Sequence, residues 1–197
     1  MSNEGVDGGR RRFLTAATSV VGAAGAVAAV WPFLASLKPS AKALALGAPV
    51  AADIGKLEEG QQVIFVWQGL NIWVLRRSKD MIASLSQVRP RLADPNSDYS
   101  QQPEYCKNEH RSIKPEYLVM NAKCTHLGCM PELKAQHPDV SVDPDWLGGY
   151  LCPCHGSRYD LSGRVFQSQP APLNMMVPPY RYASDTMIII GEDPKKS

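Results

Sequence analysis

Two short segments constrain this chain more than any other feature: Cys124-Thr-His126-Leu127-Gly-Cys129 and Cys152-Pro-Cys154-His155-Gly-Ser157. Each puts one histidine and two cysteines on a separate loop, so the fold must carry two distant stretches of chain to one place. Together they offer a C-x-H…C-x-x-H set, two thiolates and two imidazoles, which suits tetrahedral zinc or a two-iron cluster with mixed nitrogen and sulfur ligation. A structural zinc site gives no reason for a second cysteine beside each ligand pair. Two loops clamped tip to tip by a disulfide would use both. The residues favour the cluster over zinc and leave zinc open.

The motifs C-T-H-x-G-C and C-P-C-H-G-S resemble the Rieske iron-sulfur family at every fixed position, over about residues 117 to 190. That resemblance implies a mainly β, antiparallel head domain over 61–197 with two cluster-binding loops, the cluster-binding part spanning about 117–172. It implies one Rieske-type 2Fe-2S cluster per chain, with Cys124 and Cys152 on one iron, His126 and His155 on the other, and Cys129 bridged to Cys154. Ser157 and Tyr159 would aim hydroxyls at a bridging sulfide and a ligand sulfur, and Gln169-Pro170-Ala171-Pro172 would form a stiff lid over the site. The family often has Gly where Gln169 stands, which leaves the local backbone in question. By the same resemblance His155 faces quinol and Leu127 lines the docking surface.

Formal charge explains why such a centre has a high potential. Replacing two thiolates by neutral imidazoles takes the oxidised cluster from a dianion to neutrality, so an added electron meets less Coulomb repulsion in a low-dielectric site. Coordination to ferric iron acidifies an imidazole and reduction weakens that effect, so electron and proton uptake are coupled. The resemblance then implies a quinol:cytochrome c reductase subunit. It takes an electron and a proton from ubiquinol beside cytochrome b and passes the electron to a c-type cytochrome, in a dimeric complex. The alternatives are the Rieske subunit of another exported oxidoreductase, such as an arsenite oxidase or a plastoquinol-oxidising complex, and a zinc domain without redox chemistry. The anchor, the cysteine pair and the chain length disfavour a soluble dioxygenase ferredoxin.

The amino terminus supports the same reading independently. Arg10-Arg11-Arg12-Phe13-Leu14 fits the R-R-x-F-L core of a twin-arginine export signal, although Gly9 precedes it in place of Ser or Thr. The run 13–37 carries no charge and is long enough to span a bilayer as one helix. The expected order is a cytoplasmic region 1–12, an uncleaved transmembrane anchor 13–37, a flexible hinge 38–60 and the head. The arginine cluster before the span, against Lys38 and Lys42 after it, predicts a bacterial inner-membrane protein with the amino terminus in the cytoplasm and the head in the periplasm. Twin-arginine export carries folded cargo, as a cluster loaded in the cytoplasm would need, and an oxidising periplasm lets a disulfide persist.

Within the head, Gln62–Trp67 and Leu70–Arg76 read as a hairpin around Gln68-Gly69. Further strands are predicted at 117–121, 150–151, 158–161, 165–167, 175–183 and 186–190, with Asp160-Leu-Ser-Gly163 as a tight turn. Residues 77–116 read as an inserted excursion with a short helix near Asp80–Val88, and 131–147 as a surface stretch. Cys106, His110 and His137 read as bystanders outside the motifs. A net charge of +2, without basic runs interleaved with aromatics, argues against a nucleic-acid partner.

Overall fold

The uncharged run, except for its last residue Leu37, lies within helix α1, Gly8–Ser36, 29 residues long, which at 1.5 Å per residue reaches about 43 Å. The computed structural model describes residues 7–99, 101–136 and 138–194. The carboxylate of Asp7 caps α1 by accepting the N–H groups of Gly9 and Arg10, which satisfies two of the orphan donors of its first turn. No side chain of α1 is buried, and its best 18-residue window has a mean hydropathy of 1.8, so it is long and apolar enough to cross a membrane. A short helix α2, Ala41–Gly47, follows. The chain divides into two compact units between Ala45 and Leu46.

Among its described residues, the second unit has nine short strands in three antiparallel sheets. Strands β2 (Gln62–Trp67), β3 (Leu70–Arg76) and β4 (Tyr117–Asn121) pair in that order. Strands β1 (Val50–Asp53), β8 (Tyr180–Ser184) and β9 (Met187–Ile190) form the order β1-β9-β8. Strands β5 (Glu132–Lys134), β6 (Gly149–Leu151) and β7 (Arg158–Tyr159) make the third sheet. Helix α3, Lys79–Val88, is capped by Ser78 and buries Met81, Leu85 and Val88 on one face.

Strand β3 explains the layering. Ile72, Trp73, Val74 and Leu75 are all nearly inaccessible, so both faces of this strand are covered and its sequence reads as an unbroken apolar run. Trp73 and Leu75, with Leu118 and Met120 of β4, pack towards α3, Tyr150 and Tyr159. Ile72, Val74 and Val119 point the other way, onto Ala52, Ile54, Tyr180, Ile188 and Ile190. A third, smaller cluster joins Val88, Leu92, Trp146 and Phe166.

Several expectations need correction. The hinge was expected over 38–60, but Val50–Asp53 is a strand in register with Met187–Ile190, and Ala52, Ile54 and Leu57 are core residues. The ladder depends on a partner at the far end of the chain, which local composition cannot reveal. The stretch 131–147 contains β5, and 165–167 makes only isolated bridges, Leu92 to Phe166 and Tyr159 to Val165. Strand β8 begins at Tyr180 and not at Met175, because Pro178 and Pro179 have no N–H to give a ladder.

Candidate metal centre

The two motif loops have the same closed shape. In the first, Cys124 N–H donates to Cys129 O at 2.8 Å and Gly128 N–H to Cys124 O at 3.0 Å; in the second, Cys152 N–H donates to Ser157 O at 2.8 Å and Gly156 N–H to Cys152 O at 2.9 Å. Each loop thus closes through a glycine four residues after its first cysteine, at φ +86° for Gly128 and +73° for Gly156. That left-handed turn is available to glycine without strain. The shared Cys-x-x-x-Gly spacing is visible in the sequence and was not exploited there. Cys129 and Cys154 form a disulfide across the loop tips, with Cα atoms 6.6 Å apart.

Behind the bridge, Cys124 and Cys152 are free thiols, each 2% exposed. Burial pushes the Cys152 thiol up, partly opposed by the Cys154 N–H, and Cys124 adds to the rise. Two adjacent buried thiols are poor nucleophiles but a ready pair of metal ligands, since a bound cation deprotonates them. The sulfurs of Cys129, Cys152 and Cys154 also lie within 4.8 Å of one another, but two of those three are committed to the disulfide and cannot ligate. In front lie the imidazoles, ring centroids 4.7 Å apart and nearly perpendicular. His155 is exposed and His126 half-buried, and His126 Nδ1 is buried with no hydrogen-bond partner among the described residues. An orphaned ring nitrogen on the loop that carries one buried thiol, with a second buried thiol and a second imidazole on the facing loop, is the donor set of a mixed sulfur and nitrogen centre, and the residue types fit the group that their motifs imply.

The expected second layer is also present. Tyr159 Oη lies 3.1 Å from Cys124 Sγ and accepts the Thr125 N–H at 3.1 Å. Burial, and then the Cys124 thiol, push the phenol well above its usual range, so it keeps its proton as a donor. Ser157 is fully buried, and its Oγ accepts the Ala171 N–H at 3.1 Å, which leaves its own proton free to donate. That bond ties the proline-rich lid to the second loop. Gln169 adopts an ordinary conformation; the left-handed residue is its neighbour Ser168, at φ +56°. The Gln169 Oε1 accepts the Arg158 N–H at 3.1 Å, a clasp unavailable to glycine. Leu127 is 72% exposed and is not a packing residue.

Sequence reasoning missed Thr125, whose hydroxyl donates to Leu173 O at 2.6 Å and so ties the first loop to the segment after the lid. It also missed the residues that hold the second loop from behind. Asp160 accepts the N–H groups of Ser162 and Arg164, and its other oxygen receives Arg164 Nε at 2.7 Å, all within the core. Cys106 is buried, 3.9 Å from Tyr180 Oη, and burial pushes its thiol up to about 11. The His110 carbonyl accepts from Arg77, and burial followed by the Arg77 charge pull its imidazole pKa down. His137 lies outside the described residues.

Residues 1–40 match the family model described as the ubiquitinol-cytochrome C reductase Fe-S subunit TAT signal, and residues 100–180 match the Rieske [2Fe-2S] domain. The chain is 55% identical to the ubiquinol-cytochrome c reductase iron-sulfur subunit of Allochromatium vinosum over 98% of its own length and 93% of that protein. It is 41% identical to the subunit of the same name from Blastochloris viridis, over 96% of this chain and 97% of that one. It is 38% identical to the cytochrome b-c1 complex subunit Rieske, mitochondrial, of Candida albicans, over 91% of this chain and 75% of that protein. The chain therefore belongs to the family of ubiquinol-cytochrome c reductase iron-sulfur subunits, and its head is a Rieske [2Fe-2S] domain.

Proposed function

We propose that the protein is the iron-sulfur subunit of a quinol:cytochrome c reductase, with Cys124 and Cys152 on one iron and His126 and His155 on the other. The Rieske-type [2Fe-2S] cluster supplies one-electron redox chemistry at high potential. The observation that carries the assignment is the contrast among the four side chains: two buried free thiols, and two more accessible imidazoles with ring centroids 4.7 Å apart, of which His155 is exposed. His155 presents its solvent-facing ring nitrogen to the hydroxyl of ubiquinol and takes its proton there. Leu127, exposed beside it, offers an apolar contact to the quinol-binding partner. Tyr159 and Ser157 donate hydrogen bonds towards sulfur, which favours the reduced state by stabilising its extra negative charge. The disulfide holds the loops together so that both imidazoles stay aimed outward.

The relatives' names support a cytochrome bc complex as the setting, and the partners we assign there are cytochrome b and a c-type cytochrome in a dimeric assembly. The twin-arginine signal and α1 mark an exported, membrane-anchored protein. We assign the site to a bacterial inner membrane, with Arg10–Arg12 in the cytoplasm and the head in the periplasm, where the Cys129–Cys154 bridge persists. The order 1–12 cytoplasmic region, anchor and hinge is kept, with the hinge ending before Val50. The test is purification from membranes followed by iron and acid-labile sulfide analysis, electron spin resonance of the reduced state and quinol turnover. Equal iron and sulfide, with copurifying b- and c-type cytochromes, is expected. Replacing His155 with alanine should abolish turnover; preparations without iron, or turnover intact in that variant, would overturn the assignment.

A further inference from the structure

Beside the first motif loop, on the His126 side, lies a cleft of about 380 Å³ lined by Gln101, Asn121, Lys123, His126, Leu173 and Met176 among others. Asn121 closes β4 and is only 5% exposed. Its backbone is satisfied, the N–H donating to Met176 O at 2.8 Å, but its side-chain amide makes no hydrogen bond among the described residues. The amide lines the cleft, with its donors and acceptor available to a polar group that enters there. The Gln101 amide is likewise without a side-chain partner, while its carbonyl is occupied by Val177 N–H and Arg111. Lys123 forms no ion pair among the described residues. Its stem lies close over Gly128, where an added Cβ would come 2.7 Å from Lys123 Cε. This contact holds the ammonium at the rim, and no Asp or Glu lines the cleft to neutralise it.

One ammonium and two primary amides, flanked by Leu173 and Met176, form a donor set for a carboxylate with a short apolar stem. We propose that the cleft receives an Asp or Glu side chain of the protein that accepts the electron. This rests on the reading of the head as an electron donor to a protein. The charge complement is local, since Lys123 is the one charged residue in the two motif loops and their flanks from Asn121 to Met130 and Cys152 to Ser157. The cleft also opens beside exposed Leu127, on the face that a partner must approach to reach the imidazoles.

Stopped-flow electron transfer from the reduced, detergent-purified full chain to an oxidised soluble c-type cytochrome with an acidic surface tests this. Lys123→Glu should slow the bimolecular rate about tenfold at low salt, with the difference closing as salt rises. Asn121→Ala, which changes no charge, should slow it about fivefold at every salt concentration. Asn121→Ala should leave the midpoint potential and the spin resonance signal as in the parent, and the Lys123→Glu rate is read against that variant's own measured potential. The same charge reversal at exposed Lys56, outside the cleft, should have a smaller effect. Lys123→Glu and Asn121→Ala rates equal to the parent's would overturn the proposal. So would slowing by sodium acetate beyond that of equal sodium chloride without any effect of the variants, which would make the cleft a site for free carboxylates. A parent protein that cannot reduce the cytochrome at all would instead sink the underlying functional reading.

Discussion

One phenol connects both halves of the centre. The Tyr159 hydroxyl meets Cys124 Sγ, the Thr125 N–H and the Thr125 hydroxyl from a side chain that is itself fully buried, so its position is fixed by packing. Tyr159→Phe keeps the ring and removes only the hydroxyl. The reduced state then loses a donor to sulfur. The midpoint potential should fall by roughly 60 mV, the one-electron equivalent of a tenfold change in equilibrium, as read by a redox titration followed by spin resonance. Cluster content should remain that of the parent. A potential unchanged by this substitution would show that the hydroxyl serves the fold alone. At this scale the sequence was most legible. The eight motif side chains sit on two loops whose shape is set by local bonds and two glycines, so chemistry and geometry share the same short window. Thr125 was less legible because its partner, Leu173 O, belongs to a segment read only as following a proline-rich lid. The placement of Asn121 was hidden too, since its backbone partner, Met176 O, lies more than fifty residues further along the chain.

Among the elements, the excursions 77–116 and 131–147 differ most from their sequence reading, because both are fastened to the second loop. Arg91, just after α3, and Arg158, at the start of β7, both reach one oxygen of Asp143, the former at 2.7 Å. Both guanidiniums also lie over the ring of Phe166, at 5.2 and 5.9 Å from its centroid. Arg158 is thus held through its side chain by the excursion between the motifs and through its N–H by the lid. Burial alone would raise the Asp143 pKa, but the Asp145 N–H and the two guanidiniums outweigh it and hold the carboxyl below its usual range. A depressed folded pKa means that stabilisation is complete above the unfolded value of about 3.9 and is lost as pH falls through the folded value. Asp143→Asn should therefore lower stability at pH 7 by about 1 kcal/mol, discounted for the partial exposure of both arginines, and the difference should close in acid. Thermal melts of the two proteins across that range measure it. Periodicity found α3 and composition marked both excursions, but neither registers an ion pair between segments this far apart in the chain.

For the molecule as a whole, two facts that share no residue point to one life history. A charged amino-terminal motif precedes an apolar helix, and a disulfide closes a metal-binding head. If the head is loaded before export, the twin-arginine pair controls where the finished protein accumulates. Arg10→Lys with Arg11→Lys should leave the full-length, iron-containing protein on the cytoplasmic side, as judged by protease protection in spheroplasts, with the Cys129–Cys154 pair reduced. Unimpaired export of that variant would refute the signal. The architecture was legible as antiparallel β with one apolar helix. Its division into three sheets was not, since the central strand β3 serves two cores at once and presents no alternation.

Because Val50 pairs with Ile190, the first and last residues of the head's outer sheet lie side by side. The chain thus leaves this sheet at Ile190 next to the point where it enters at Val50, on a ladder that contains neither motif loop. A pull applied where the chain enters at Val50 is therefore borne first by the β1–β9 ladder, in a sheet that shares no strand with the one flanking the second motif loop.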